Sequence, residues 1–155
     1  MKKIKNLMIA LALLICSSLV LNACLVIEKT AITSGMFIAI MEEKGFNISV
    51  ESNRDLVFYD VIGAYVASKD DCVVEFYELR TIDEAYDLYN DLERDFRFDY
   101  SGSTTSTNAK NYDTYECSGS KGYVFLGRVD DTLMVIEVDS SLKDTAKSIV
   151  KELGY

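Results

Sequence analysis

Carboxylates are the most abundant side chains in this sequence that could support acid–base or metal chemistry. The 155-residue chain has 25 acidic and 16 basic residues and no histidine, so the most common general base and zinc ligand is missing. Two pairs, Asp70-Asp71 and Asp130-Asp131, separate apolar runs, and Asp139 ends another. Such oxygens can bind Ca²⁺, but no D-x-D-x-D-G loop is present. We therefore interpret the pairs as turn residues, which aspartate favours.

Two carboxylates could also serve as the acid and base of a glycosidase. The 25 acidic residues offer no rule for choosing two of them, and the chain has no phosphate-binding loop or dinucleotide fingerprint. The sequence thus predicts no catalytic residue, no metal ligand and no cofactor. The enzymatic alternative is a carboxylate-dependent hydrolase of cell-wall polymer, which needs two acidic side chains in one cleft and a pKa raised by burial.

Cysteine chemistry is the next candidate. Cys16 and Cys24 lie within and just after an apolar N-terminal segment, whereas Cys72 and Cys117 lie further along the chain, and neither of these belongs to a C-x-x-C motif. A disulfide between Cys72 and Cys117 would require α-carbons within about 7 Å. Two buried free thiols that act as small apolar side chains are the other interpretation.

The N-terminal segment has the features of an export signal. Lys2, Lys3 and Lys5 precede an apolar run over residues 7–21, and this order is typical of secreted proteins. The run ends in Leu21-Asn22-Ala23-Cys24, which resembles the lipobox of bacterial lipoproteins. The resemblance implies that residues 1–23 are a signal peptide, that the Cys24 thiol carries diacylglycerol, and that the lipid on Cys24 makes the membrane a partner.

An uncleaved membrane anchor is the alternative, because residues 25–27 are also apolar and residues 7–27 are long enough to cross a bilayer as a helix. In both cases the N-terminal lysines stay in the cytoplasm. Both interpretations therefore place the folded part on the outer face of the cell membrane, after a short tether over residues 24–29.

Charge and aromatic content limit the partners. Removal of residues 1–23 takes away three lysines and leaves 13 basic against 25 acidic residues, a net charge of -12. So acidic a domain disfavours nucleic acid, which binds through Lys and Arg. The chain has ten tyrosines, a residue type enriched at interfaces. We expect a surface that includes Tyr112, Tyr115 and Tyr123 to be a candidate interaction site with an envelope protein or polymer.

Hydrophobic periodicity predicts one α+β domain over residues 30–155. Its features are an antiparallel sheet of about five strands built from hairpins, three helices packed mainly on one face, and a mobile polar loop over residues 99–111. Thr81 and Glu84 form a capping box, and Ser141 is expected to cap the last helix. The predicted helices and strands are helices 30–45, 82–96 and 142–153 and strands 60–68, 72–79, 112–117, 123–129 and 132–138.

Two C-terminal stretches carry a second resemblance. Residues 127–135 and 151–155, taken with the export signal, resemble small uncharacterised lipoproteins of Gram-positive bacteria. The resemblance implies the same layout and no particular activity. We expect a non-enzymatic binding or interaction module of the cell envelope, with the cell-wall hydrolase and a structural or inhibitory module that works by sheet-edge pairing as alternatives.

Overall fold

The computed structural model describes residues 28–50, 56 and 58–155, and it confirms the α+β class. A 3-10 turn over Ser140–Leu142 precedes the last helix. The helices and strands of the described residues are, in chain order, α1 (Ser34–Glu43), β1 (Asn47–Ser49), β2 (Val61–Lys69), β3 (Cys72–Leu79), α2 (Ile82–Asp99), β4 (Gly102–Asn108), β5 (Tyr112–Gly119), β6 (Gly122–Val129), β7 (Thr132–Val138) and α3 (Lys143–Glu152).

The strands form one antiparallel sheet in the order β1-β2-β3-β7-β6-β5-β4. The prediction of about five strands is therefore too low, since the described residues form seven. The additional strands are β1 and β4, which lie at the two edges of the sheet. The five predicted strands occupy the positions between these edges, where more side chains are buried and the hydrophobic signal is stronger.

The prediction of a mobile loop over residues 99–111 is wrong. Helix α2 continues to Asp99, and β4 pairs with β5 along its whole length, from Gly102 opposite Gly119 to Asn108 opposite Asp113. All seven β4 residues are exposed, so the strand buries nothing that a hydrophobic pattern could reveal. Backbone pairing and the high β-propensity of threonine stabilise it instead.

The helices cover both faces of the sheet, and not mainly one. Helices α1 and α3 pack on the first face, where the Phe37 and Phe76 rings stack with centroids 4.8 Å apart. Helix α2 packs on the opposite face through Leu88, Leu92 and Phe96. Because both faces are covered, the central strands β3, β6 and β7 are buried almost throughout.

Several local predictions are confirmed. The Asp70-Asp71 and Asp130-Asp131 pairs form two-residue hairpin turns, and in each the first aspartate adopts a left-handed φ, 52° and 50°. Aspartate tolerates this conformation better than most residues. Thr81 caps α2, since its Oγ1 accepts from the Glu84 amide at 3.2 Å. The prediction that Ser141 caps α3 is wrong, because the 3-10 turn places Leu142 at that position and no side chain caps the helix.

The sheet has two distinct ends. One carries the β4–β5 connection, residues 109–111, the Asp130-Asp131 turn and the first residues of α1 and α2; we call it the Asn111 end. The other carries the Asp70-Asp71 turn, the β5–β6 turn and the last residues of α2; we call it the Asp70 end. The first described residues, Glu28 and Lys29, lie at the Asn111 end.

Candidate functional site

A chain of hydrogen bonds crosses the Asn111 end and fixes the N-terminal segment to the sheet. Asn111 Oδ1 accepts from the Lys29 amide at 3.2 Å, and Asn111 Nδ2 donates to the Lys29 carbonyl at 2.7 Å. The Asp130 amide donates to the Asn111 carbonyl at 2.8 Å, and the Leu79 amide donates to the Asp131 carbonyl at 2.9 Å. The chain is therefore part of the fold from Lys29 onward, so the last residue of the predicted tether over residues 24–29 is fixed to the sheet.

The Lys29 side chain lies over an aromatic ring at the same place. Its Nζ is 4.9 Å from the Tyr112 ring centroid, and burial lowers the pKa of the Lys29 ammonium. The ring face attracts the cation. Tyr112 is half-buried and belongs to the attachment of the N-terminal segment.

A buried ion pair stabilises the Asp130-Asp131 turn. Arg128 Nη2 and Nε lie 2.6 and 2.8 Å from Asp113 Oδ2, and both residues are buried. Arg128 Nη1 also donates to the Asp130 carbonyl at 3.0 Å. Asp113 and Arg128 face each other across β5 and β6, so the pair ties the two strands to the turn. Its role is structural, since neither charge reaches the surface.

The predicted tyrosine surface does not form. Tyr115 is 0 % exposed and lies among the residues that pack on α2, whereas Tyr123 is 1 % exposed and lies on the opposite face with α1 and α3. Burial raises the pKa of both phenols. The strand periodicity explains the error, because it places Tyr115 on β5 and Tyr123 on β6 on different sides of the sheet.

Cys72 and Cys117 are free, buried thiols. Cys72 lies on the face covered by α1 and α3, and Cys117 lies on the face covered by α2. Strands β7 and β6 stand between β3 and β5, which at about 4.8 Å per strand step separates the cysteines by about 14 Å. The disulfide alternative is thus contradicted. Burial raises the pKa of the Cys72 thiol.

The acidic residues stay dispersed in the described part of the chain. Those on the outer side of α2, Asp83, Asp87 and Asp95, are exposed, and Asp91 accepts from the Tyr59 hydroxyl. Across residues 28–50 and 58–155 no group of three or more acidic or cysteine side chains is placed to hold a metal ion. The Asp70 and Asp130 pairs act as turns.

The largest of the described cavities, about 440 Å³, opens at the Asp70 end between α1, the Asp70-Asp71 turn and α3. Phe46, Cys72 and Ile149 supply its apolar wall, and Asp70 is its one lining carboxylate. Lys69 Nζ donates to the Lys44 carbonyl at 2.7 Å at its rim. An ammonium has three donors, so the rim could hold the carboxylate of a small ligand. Sequence patterns could not reveal this cavity, because its residues come from three separate segments.

The outer edge of β4, which we call the β4 edge, is the most extended unpartnered backbone in the described sheet. Strand β4 is the last strand in the order, so alternate residues direct amide and carbonyl groups away from β5 into solvent. On the inner side, Arg97 Nη2 donates to Ser106 Oγ at 3.1 Å and lies 2.6 Å from Glu93, which holds β4 beside α2. The opposite edge strand, β1, has only three residues.

Strand β4 lacks the features that usually protect an edge. Its sequence, Gly-Ser-Thr-Thr-Ser-Thr-Asn, contains no charge and no proline, and its pairing with β5 is continuous without a bulge. Charged residues, prolines and bulges are the common means of preventing edge pairing. The β4 edge can therefore accept another extended chain. The sequence signal that could have identified it is the run of β-branched threonines between Gly102 and Asn108.

The predicted lipidation residue, Cys24, and the apolar segment 7–27 lie outside the described residues. Among the helices of the described residues, none is both long and apolar enough to span a bilayer. No protein-family model matches the chain, and comparisons with curated proteins and with solved structures give no significant match.

Proposed function

We propose that this chain is a membrane-anchored, extracytoplasmic and non-enzymatic interaction module that binds an extended segment of another envelope protein along the β4 edge. The observation that carries the proposal is a seven-residue edge strand whose residues are all exposed and whose pairing with β5 is regular. In strand addition, the backbone of such an edge supplies the hydrogen bonds and thus the affinity.

The anchor is the lipid on Cys24. Two acyl chains on one residue hold a protein on a membrane where a single chain binds only marginally. The uncleaved helix over residues 7–27 would leave the same short connection to Lys29. Either anchor keeps the Asn111 end of the sheet toward the membrane and leaves the β4 edge open at the side.

The partner is a different polypeptide and not a second copy of this chain. When two copies pair edge to edge about a two-fold axis, their edge strands run antiparallel. A parallel pair is excluded because its slanted hydrogen bonds do not obey a two-fold axis. An antiparallel β4–β4 pair would turn the two Asn111 ends, and with them the two anchors, in opposite directions. Copies in one membrane cannot pair in this way.

Charge indicates what kind of segment binds. The net charge of -12 that remains without residues 1–23 attracts basic partners and repels acidic ones. Strand β4 itself is uncharged, so its affinity comes from backbone pairing and its selectivity from the surrounding field. We therefore infer a basic, extended segment.

A hydrolase is the weaker alternative. It requires two carboxylates that converge in a cleft, and the largest described cavity has Asp70 as its one lining carboxylate. Two smaller depressions are each lined by two carboxylates, Asp95 with Asp99 and Glu28 with Asp130, but Asp95 is paired with Arg94 and Glu28 with Lys110. The β4 edge needs no such convergence.

The test compares two lysine substitutions at exposed positions in the full-length acylated protein. Thr105→Lys places a charge in the middle of β4, where it should block strand addition, and the matched control Asn90→Lys places the same charge on the outer side of α2. After mild detergent extraction from native membranes, the wild type and Asn90→Lys should migrate as a complex larger than the purified protein. Thr105→Lys should migrate as the free protein.

Two results would contradict the proposal. One is a complex of unchanged size in Thr105→Lys with native circular dichroism. The other is extraction of the wild type as the free protein. Intact mass of the extracted wild type tests the anchor separately, since a diacylated Cys24 N-terminus is expected, and an unmodified Met1 N-terminus would favour the uncleaved helix.

A further inference from the structure

Three exposed apolar residues each lie two positions along the chain from a member of one ion pair at the Asn111 end. The Arg80 amide donates to the Asp60 carbonyl at 3.0 Å, and the two side chains also form an ion pair. Phe58 precedes Asp60 by two residues, Ile62 follows it by two, and Ile82 follows Arg80 by two. Their exposed fractions are 92, 54 and 53 %. We call Phe58, Ile62 and Ile82 the apolar end surface.

This surface lies at the same end of the sheet as the start of the N-terminal segment. Ile82 lines one shallow depression together with Glu28, Lys29 and Lys110. Arg80 directly follows Leu79, whose amide is bonded to the Asp130-Asp131 turn, and that turn is bonded to Asn111. Hydrogen bonds, joined through the adjacent residues Asp130–Asp131 and Leu79–Arg80, thus connect Lys29 with Asp60 across the end of the sheet.

The short tether brings this end against the lipid. Three residues lie between Cys24 and Glu28, and the four steps from one α-carbon to the next, at about 3.5 Å each, span at most about 14 Å. The sheet is seven strands wide, about 29 Å between its edge strands at 4.8 Å per step. The anchor is attached at one part of this end, and the tether is shorter than the sheet is wide. The domain therefore cannot turn its Asn111 end far from the bilayer.

We propose that the apolar end surface inserts Phe58, Ile62 and Ile82 into the interfacial layer of the bilayer and fixes the orientation of the domain. This inference rests on the proposed anchor. Insertion is driven by removal of apolar surface from water, since the nearby cations Arg80 and Lys110 are paired with Asp60 and Glu28. The strands then run away from the membrane, and the cavity at the Asp70 end faces outward.

The chain contains no tryptophan, so a single introduced tryptophan reports its own surroundings. Phe58→Trp probes the apolar end surface. Phe98→Trp is the matched control, because Phe98 is 91 % exposed and lies about 24 Å further along α2 than Ile82 at 1.5 Å per residue. Both variants are prepared as full-length acylated protein and reconstituted in phosphatidylcholine–phosphatidylglycerol vesicles with and without brominated acyl chains.

The Phe58→Trp emission should shift to shorter wavelength in vesicles and should be quenched by brominated lipid, whereas the Phe98→Trp emission should do neither. Phe58→Trp emission that is neither shifted nor quenched would overturn the inference. An emission shift without quenching would overturn it as well, because it would mean that another segment of the chain covers the tryptophan. Intact mass separates this failure from failure of the anchor: protein with a diacylated Cys24 and unquenched tryptophan refutes only the membrane contact.

Discussion

The Asn111 side chain makes two hydrogen bonds in opposite directions to the backbone of Lys29, 82 residues earlier in the chain. A side-chain amide has both the donor and the acceptor that one backbone residue requires. The β4–β5 connection is thereby fixed to the N-terminal segment, so the strand that forms the open edge is tied to the segment that follows the proposed anchor.

Substitution of Asn111 should release the N-terminal segment. In Asn111→Asp the donor to the Lys29 carbonyl is lost and a charge is placed beside Asp130, so we expect a loss of about 1–3 kcal/mol of unfolding free energy. Urea denaturation measures the loss, and limited proteolysis should cleave the variant between Glu28 and Ser34 before the wild type. The exposed control Asn90→Asp should unfold as the wild type does; equal proteolysis of Asn111→Asp and wild type would refute the attachment.

Breaking the buried ion pair should be costly. Arg128→Met leaves the Asp113 carboxylate buried without its partner, which typically costs about 3–5 kcal/mol. In the double variant Asp113→Asn with Arg128→Met, no uncompensated charge remains, so much of that loss should return. Urea denaturation of the two single variants and the double variant gives the coupling energy. Additive losses would show that the two charges do not interact.

Two glycines allow the start of β4 to lie close to the end of β5: Gly102 lies against the backbone of Ser118, and Gly119 lies against the backbone of Ser101. A Cβ on Gly102 would lie 2.1 Å from the Ser118 carbonyl oxygen, and one on Gly119 would lie 1.9 Å from that of Ser101. Gly102→Ala should therefore separate β4 from β5 and speed exchange of the β4 amides. Gly35→Ala is the control, since its Cβ meets nothing nearer than 3.9 Å and alanine favours a helix by about 0.5–1 kcal/mol. Slow β4 exchange in Gly102→Ala would contradict the observed packing.

The Tyr59–Asp91 hydrogen bond should make stability depend on pH at both extremes. The Tyr59 hydroxyl lowers the pKa of the Asp91 carboxyl, so this stabilisation is present above pH 3.8 and is lost as the pH falls. Burial and the bond to Asp91 raise the pKa of Tyr59 from 10.0 to about 12. Because the folded state then holds its proton more tightly than the unfolded state, stability falls as the pH rises from 10 toward 12.

Tyr59→Phe removes both effects. The variant should be less stable than the wild type at pH 7, and the difference should shrink below pH 3.8. Thermal denaturation across the acid range measures this, with Tyr86→Phe as a control that keeps an exposed aromatic ring on α2. If the stability difference between the wild type and Tyr59→Phe stays constant with pH, the Tyr59 hydroxyl does not lower the pKa of Asp91.

The sequence predicts the parts of this fold whose signals are local. Asp70-Asp71 and Thr81 each determine a turn or a helix start through bonds within a few residues. The β4 strand is missed because Thr104, Thr105 and Thr107 bury nothing and stay extended only through β5. The burial of Tyr115 and Tyr123 is missed because it depends on which face of the sheet each strand residue joins and on helices far away in the chain.

Strand addition at the open edge of β4 is tested most directly by amide exchange in native membranes. The β4 amides that point away from β5 should exchange slowly while the protein is in native membranes and rapidly after purification, and those of Thr105→Lys should exchange rapidly in both. Equally rapid exchange of the wild-type β4 amides in membranes and in purified protein would contradict strand addition at this edge.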